Sequence, residues 1–193
     1  MPAWCWVLFL LLPLSLWGQP SPPRVRLVTN QGSIVLELYP DKAPKTVANF
    51  LAYVKAGFYD GTIFHRVVPS FVIQGGGYDA NFVPRKTREP IENEAANGLS
   101  NQRGTVAMAR TAQVHSATSQ FFINLADNGF LDHRDATPQG FGYCVFGRVV
   151  EGMEVVDAIA AIPTGPGGPF PKEVPQKPVV ILKAEVLASL PTP

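Results

Sequence analysis

The sequence predicts one mainly β domain, built as a closed antiparallel barrel or a sandwich. Many short segments alternate apolar and polar residues with the period of a strand, and only two segments carry apolar residues at helical spacing. Strands that follow one another without intervening helices disfavour a parallel sheet. The 193 residues, 46% of them apolar, suffice for a single sizeable core.

The first predicted elements are a hairpin and a helix. Apolar residues alternate with polar ones from Val25 to Leu38, and Asn30–Gly32 supplies the turn residues. A helix is predicted to begin at Pro44, because apolar residues recur at helical spacing from Val47 to Val54. Gly57 is predicted to end it.

The rest of the chain predicts more strands, one more helix and two long loops. The helix is expected over Gly152–Ile162, and a closing strand over Pro178–Leu187. Gly75–Arg103 and Pro163–Pro178 lack periodicity and are predicted to be irregular; loops of this length in a compact domain are often functional. The middle strands are predicted at Thr62–Val68, Ser70–Gln74, Thr105–Ala109, Ser119–Asn124 and Gly142–Val149.

The N-terminal residues differ from the rest of the chain. Residues 1–23 carry no charged side chain, and Trp4–Trp17 is almost wholly apolar, too short for the roughly 20 residues of a membrane-spanning helix. Such a stretch is typical of a secretory signal, with Gly18 before the cleavage point. No Lys or Arg precedes it, so an uncleaved anchor or a buried helix are the alternatives. The absence of a polar face and the proline-rich residues that follow disfavour the buried helix.

These observations give a domain organisation and a location. We expect the protein to be exported to the periplasm or another extracytoplasmic space, with no stable membrane span once the signal is removed. The expected segments are a signal peptide at 1–18, a Pro-rich linker at 19–23, the folded domain at 24–188 and a C-terminal tail at 189–193.

Charge and cysteine content exclude some classes of function. The formal net charge is +1, and the basic residues are scattered, so we expect no binding to nucleic acid. Cys5 lies in the expected signal, which leaves Cys144 without an internal disulfide partner. Cys144 is predicted to be buried and reduced, as a small hydrophobic residue of the core. Nothing indicates an oligomer, and we expect a monomer.

Several familiar kinds of catalytic site are disfavoured. The three histidines have neither Cys partners nor the spacing of metal ligands, so neither a metal nor any other cofactor is predicted. A triad of His115, Ser116 and an aspartate lacks the Gly-x-Ser-x-Gly elbow. Gly75–Gly77 lacks the ending of a phosphate-binding loop, and we expect it to serve the backbone conformation instead.

Three ordered motifs carry a specific resemblance. The segment from Phe64 to Gly76 reads FHRVVPSFVIQGG. Ala107–Arg110 with Ser119–Asn124 forms the second motif, and Phe130–Asp132 with Gly142–Val149 forms the third. Together they resemble the active-site walls of the cyclophilins, and the resemblance extends over about Val25 to Leu187.

The resemblance implies an eight-stranded antiparallel barrel capped by two α-helices and peptidyl-prolyl cis/trans isomerase activity without a cofactor. Its substrates would be unfolded or folding polypeptides that contain X–Pro bonds. A non-catalytic peptide-binding chaperone on the same fold is the alternative. The residues implied to be catalytic are Arg66, Phe71 and Gln74. Those implied to bind substrate are Phe71, Val72, Gln74, Ala109, Arg110, Gln120, Phe122, Phe130, Leu131 and Tyr143.

Strand alternation independently separates two kinds of aromatic residue. In Ser119–Asn124, Phe121 and Ile123 share one face, and Gln120 and Phe122 share the other. We expect Phe121 to pack in the core and Phe122 to bind ligand on the outer face, since exposed apolar side chains in a cluster usually mark a site.

The sequence departs from the best-known eukaryotic cyclophilins at several site positions. Val72 replaces a methionine, Phe130 a tryptophan, Tyr143 a histidine and Arg110 an asparagine. The choices at Phe130 and Tyr143, with the segment Ala109–Thr111, resemble bacterial extracytoplasmic members of the family. Loss of the tryptophan at Phe130 predicts weak binding of cyclosporin, because phenylalanine lacks the indole N–H donor.

Overall fold

The computed structural model describes Met1 and residues 21–188; the expected signal segment and the C-terminal tail lie outside the described residues. No helix within the described part is both long enough and apolar enough to cross a membrane. The helices are α1 (Pro44–Lys55) and α2 (Met153–Ala160). The strands are β1 (Arg24–Thr29), β2 (Gly32–Leu38), β3 (Thr62–Ile63), β4 (Arg66–Val68), β5 (Val72–Gly75), β6 (Thr105–Met108), β7 (Phe121–Asn124), β8 (Val145–Glu151), β9 (Thr164–Gly167), β10 (Phe170–Pro175) and β11 (Val180–Leu187).

Nine of these strands form one curved antiparallel sheet in the order β3-β11-β1-β2-β8-β6-β7-β5-β4. Its two edge strands, β3 and β4, are separated in sequence by Phe64 and His65 alone. The strand expected over 62–68 is interrupted at these two residues, which makes nine strands instead of the eight expected. Within the described residues no backbone ladder joins β3 to β4, so the sheet curls into a barrel-like shape but keeps two edges and is not the fully closed barrel that the sequence predicted.

The predicted N-terminal hairpin is confirmed, and its alternation fills the barrel. β1 and β2 pair from Arg24 opposite Glu37 to Thr29 opposite Gly32. Leu27 and Ile34 are paired partners and are both fully buried. Apolar side chains on the inner face thus remove their surface from water, which is the main favourable contribution to folding.

Both predicted helices cover the barrel with the apolar stripes read from the sequence. Pro44 stands at the start of α1, where its missing N–H costs no hydrogen bond. Phe50 projects from α1 to within 5.5 Å of the Phe121 ring and 5.1 Å of the Phe146 ring. From α2, Val156 and Ile159 are buried in the same core.

Cys144 lies in this interior cluster, as predicted. Its side chain is 2% exposed, and burial raises the pKa of the thiol to about 11. The thiolate is thereby suppressed at neutral pH, so the group has little nucleophilic character.

The two predicted loops differ in outcome. Gly75–Arg103 is largely irregular, and Gly75–Gly77 at its start allow close packing: a Cβ on Gly76, where φ is +83°, would lie 2.8 Å from the Tyr59 ring. The prediction that residues 163–178 are irregular is wrong, because this segment contains the antiparallel hairpin β9–β10. Its prolines and glycines interrupt the alternation of apolar and polar residues by which a strand is predicted from sequence.

Candidate active site

A row of side chains crosses the outer face of the barrel. Arg66 on β4 is paired with Gln74 on β5, and Gln74 is paired with Phe122 on β7. Phe122 is in turn the partner of Ala107 on β6, which is paired with Val145 on β8. Because directly paired residues point to the same face of a sheet, strand register alone brings a cation, an amide and an apolar surface into line.

Of this row, Arg66 and Gln74 line one wall and Phe122 lines the floor of a groove of about 350 Å³. Phe122 is 4% exposed and packs with Val72, Ala107 and Val145 in a small cluster separate from the barrel interior. A preformed groove with an apolar floor and a few polar groups is typical of a ligand site. The lining residues are Arg66, Phe71, Val72, Gln74, Ala109, Arg110, Phe122, Leu131 and Tyr143.

A chain of amides supports one side of the guanidinium of Arg66. Arg66 Nη1 donates to Gln74 Oε1 over a long 3.4 Å, and Gln74 Nε2 donates to Gln120 Oε1 at 3.0 Å. Gln120 itself lies beneath Gly77, where a Cβ would come within 2.6 Å of its side chain. The glycine therefore leaves room for the amide that orients Gln74.

The other side of Arg66 carries an ion pair. Its Nε donates to Glu173 Oε2 at 2.7 Å, and this hydrogen bond lowers the pKa of the Glu173 carboxyl below its usual range. Within the described residues, no oxygen accepts a hydrogen bond from Nη2. The pairing leaves the terminal nitrogens, with Nη1 only weakly engaged, for a ligand.

His65 is buried directly beside this pair. It packs against Tyr78 at 4.8 Å and Phe170 at 5.2 Å, and its Nδ1 has no hydrogen-bond partner among the described groups. Burial, with a further contribution from the charge of Arg66, lowers the pKa of His65 to about 4. His65 is therefore neutral near pH 7 and adds no second charge to the site.

The opposite wall is rigid because Arg110 is tied to backbone oxygens. Its Nε donates to Gly142 O at 3.0 Å, and its Nη2 donates to Pro138 O at 2.8 Å. The guanidinium carbon stands 4.8 Å from the centre of the Tyr143 ring. These hydrogen bonds, with one from Nη1 to Thr111 O, use three of the five N–H groups of Arg110 and fix its orientation where it lines the groove.

Two predicted site residues do not line the groove. Gln120 reaches it only through Gln74. Phe130 lies outside the groove, 65% exposed, and its ring stacks on Phe71 at 5.8 Å with a 20° interplanar angle. The other predicted residues are brought together as expected.

Sequence reasoning missed Glu173 and Ala107. Glu173 lies 107 residues from Arg66 in a segment rich in proline and glycine, and no local pattern connects the two. Ala107 was part of a motif, but only the strand register shows that it packs beside Phe122, without itself lining the groove. Among the described residues, no cluster of three or more His, Cys, Asp or Glu side chains could hold a metal ion.

Comparison with known families now places the chain. The family described as cyclophilin type peptidyl-prolyl cis-trans isomerase/CLD matches residues 24–186. The chain belongs to this family. This cyclophilin is 58% identical over 163 residues to a peptidyl-prolyl cis-trans isomerase of Streptomyces antibioticus, covering 84% of this chain and 98% of that protein. It is 55% identical over 153 residues to peptidyl-prolyl cis-trans isomerase B of Escherichia coli K12, covering 79% and 93%.

Solved structures agree with these relatives. A cyclophilin type peptidyl-prolyl cis-trans isomerase of Cryptosporidium parvum matches with a TM-score of 0.71 and 26% identity, over 88% of this cyclophilin and 99% of that chain. The same protein in the presence of the dipeptide Ala-Pro matches with a TM-score of 0.69. The family, the isomerase class and the β-barrel with two helices expected from the sequence are confirmed.

Proposed function

We propose that this cyclophilin accelerates rotation about X–Pro bonds of unfolded or folding polypeptides by a non-covalent mechanism in which Arg66 stabilises the twisted amide. The observation that carries the proposal is the register row that sets Arg66 and Gln74 directly beside the apolar floor at Phe122. A monomer suffices, because the residues that line the groove all come from one chain.

The apolar part of the groove would hold the prolyl ring. Phe122 lies on the floor, and Phe71 and Leu131 line the groove beside it. A pyrrolidine ring seated there loses water contact and stays fixed while the residue before it rotates. With one half of the amide held in place, binding interactions can stabilise the twisted amide more than the planar one, which accelerates rotation.

The polar part would act on the electrons of the amide. Resonance sets a barrier of roughly 18–20 kcal/mol to rotation, and twisting frees the lone pair on the prolyl nitrogen. The guanidinium of Arg66 remains charged and carries donors in a planar fork. A donor that bonds more strongly to the twisted amide than to the planar one lowers the barrier, and each ~1.4 kcal/mol gives about a tenfold gain in rate.

The test compares three variants in an exchange-NMR assay on a short X–Pro peptide. Arg66→Ala is expected to lose about 10²–10³-fold in kcat/KM, the range for loss of a preorganised donor. Arg66→Lys keeps the charge but not the fork and should recover little of that loss. Arg26→Ala is the control, because Arg26 pairs with Glu185 away from the groove.

Two results would contradict the proposal. Activity of Arg66→Ala equal to that of the wild type would remove Arg66 from the mechanism. A wild-type protein that binds the peptide without accelerating exchange would instead be a non-catalytic peptide-binding chaperone.

The setting of this activity is a separate part of the proposal. The uncharged apolar stretch Trp4–Trp17 supports export to the periplasm or another extracytoplasmic space, where the protein would assist folding. Intact mass of the protein from its native host should show cleavage after Gly18. A full-length, cytosolic species would contradict export.

A further inference from the structure

Glu173 approaches Arg66 from the hairpin β9–β10, an element apart from the strands that build the groove. Its Oε2 lies 2.7 Å from Arg66 Nε, and the two side chains are only 25% and 35% exposed. Oε1 of the same carboxylate lies 3.3 Å from Lys172 Nζ. The contact is therefore a short, partly sheltered hydrogen bond between ionised groups.

The backbone of Glu173 has an unusual conformation at this contact. Its φ is +68°, a left-handed backbone conformation that residues other than glycine rarely adopt. The residue lies in a bulge: Phe170 is paired with Gly167 and Val174 with Gly165, so three residues of β10 oppose one of β9. Bulges next to active sites often redirect a side chain, and backbone strain persists only where the surroundings enforce it.

The hairpin is anchored on both sides of the bulge. Phe170 packs against His65 and against Tyr78, with ring centroids 5.2 Å apart in each case. Val174 is buried. Since His65 directly precedes Arg66, the hairpin is fixed against the start of the strand that carries the arginine.

We propose that Glu173 is a positioning residue for Arg66. By accepting the Nε hydrogen bond it fixes the plane of the guanidinium and leaves Nη2, together with the weakly engaged Nη1, for the twisted amide. The bulge in β10, with its positive φ at Glu173, places the Glu173 carboxylate against Arg66 Nε. This inference rests on the proposed function of Arg66 and extends it to a residue outside the three sequence motifs.

An ordinary surface ion pair would give a different outcome. Exposed pairs contribute little to stability, and loss of a pair with no positioning role is expected to leave kcat unchanged. A pair Arg26–Glu185, with Nε to Oε1 at 2.9 Å, exists on β1 and β11 and serves as the matched control.

The first experiment separates activity from stability. Glu173→Ala and Glu173→Gly both remove the carboxylate, and each is expected to lower kcat about tenfold with KM nearly unchanged, the effect of losing one charged hydrogen bond. Glycine suits φ +68° better than alanine, so Glu173→Gly should have the higher Tm. Glu173→Gln, whose amide oxygen can still accept from Nε, should recover part of the activity. Glu185→Ala should leave kcat unchanged.

The second experiment is a double-mutant cycle. In an Arg66→Ala background, Glu173→Ala should cause no further loss of kcat, because a positioning residue acts only through its partner. Wild-type kcat in Glu173→Ala and Glu173→Gly would overturn the inference. So would a kcat that rises and falls with Tm across the variants, or a loss of kcat from Glu173→Ala that is as large in the Arg66→Ala background as in the wild type. A wild-type protein that does not isomerise X–Pro bonds would instead defeat the proposed function.

Discussion

Strand β7 presents two buried faces that differ in what surrounds them. On the inner face, the Phe121 ring lies within 5.5–6.0 Å of the rings of Phe50, Tyr59 and Phe64. On the outer face, Phe122 rests on a few small side chains, meets Tyr143 at 5.7 Å and opens onto the groove. Phe121 on the inner face is fully enclosed by the core, whereas the 4% of Phe122 that remains accessible lies at the groove. Adjacent residues of one strand can thus serve stability and binding separately.

The largest expected effect comes from the inner face. Phe121→Ala should reduce the free energy of unfolding by about 3–5 kcal/mol, because it removes a large side chain and leaves a cavity among aromatic rings that cannot collapse. Denaturant unfolding measures the change. Activity per folded molecule should remain close to that of the wild type; a selective loss of activity in fully folded protein would break the comparison.

The next effect concerns His65, which is buried outside the interior cluster. The unfolded chain binds a proton at His65 below about pH 6.5, but the folded protein does so only near its pKa of about 4. The contribution of His65 to the free energy of unfolding is therefore fully present above pH 6.5. It falls by about 3 kcal/mol as the pH drops towards 4. His65→Phe should flatten the curve in this window. Parallel stability curves for the two proteins between pH 6.5 and 4 would refute the assignment.

The outer face should show the reverse of the Phe121 result. Phe122→Ala should cost less stability but lower kcat/KM about thirtyfold, since it removes about 2 kcal/mol of apolar contact with the prolyl ring. Unfolding and exchange NMR on the same samples make the comparison. A pair of variants that lose stability and activity in the same ratio would show that the two faces are not separate in function.

The smallest expected effect concerns Phe130, which lies outside the groove. Phe130→Trp should raise cyclosporin affinity about tenfold, because the indole N–H adds a donor worth ~1 kcal/mol and the larger ring adds contact area. Calorimetry would measure the affinity. The isomerase rate should change little, since Phe130 stacks on Phe71 outside the groove. Unchanged affinity would mean that this residue does not reach the ligand.

The comparison also shows why much of the site could be predicted from the sequence. The alternation in Ser119–Asn124 assigned Phe121 and Phe122 to opposite faces, and a strand admits no other arrangement once one face is buried. Arg66, Phe71 and Gln74 lie in one continuous motif, so local geometry brings them together. Periodicity likewise located the hairpin and both helices.

The remaining features depend on contacts that have no local signal. The hairpin β9–β10 contains prolines and glycines, whose low strand propensity predicted a loop. The approach of Glu173 to Arg66 depends on a bulge and a positive φ, which no periodicity reports. The break between β3 and β4 at Phe64–His65 likewise has no signal in the apolar pattern, because both residues are buried like most of their neighbours.

Strand β11 shapes the order in which the molecule can assemble. It lies between β1 and β3 and pairs with both, Arg24 opposite Leu187 and Ile63 opposite Val180. β1 pairs early with β2, but it meets its second neighbour, β11, only after nearly the whole domain has been synthesised. Contacts so distant in sequence carry a large loop-closure entropy and slow the folding rate. Until residues 180–187 dock, β1 keeps an unpaired edge, the kind of surface that makes an incomplete chain prone to aggregation.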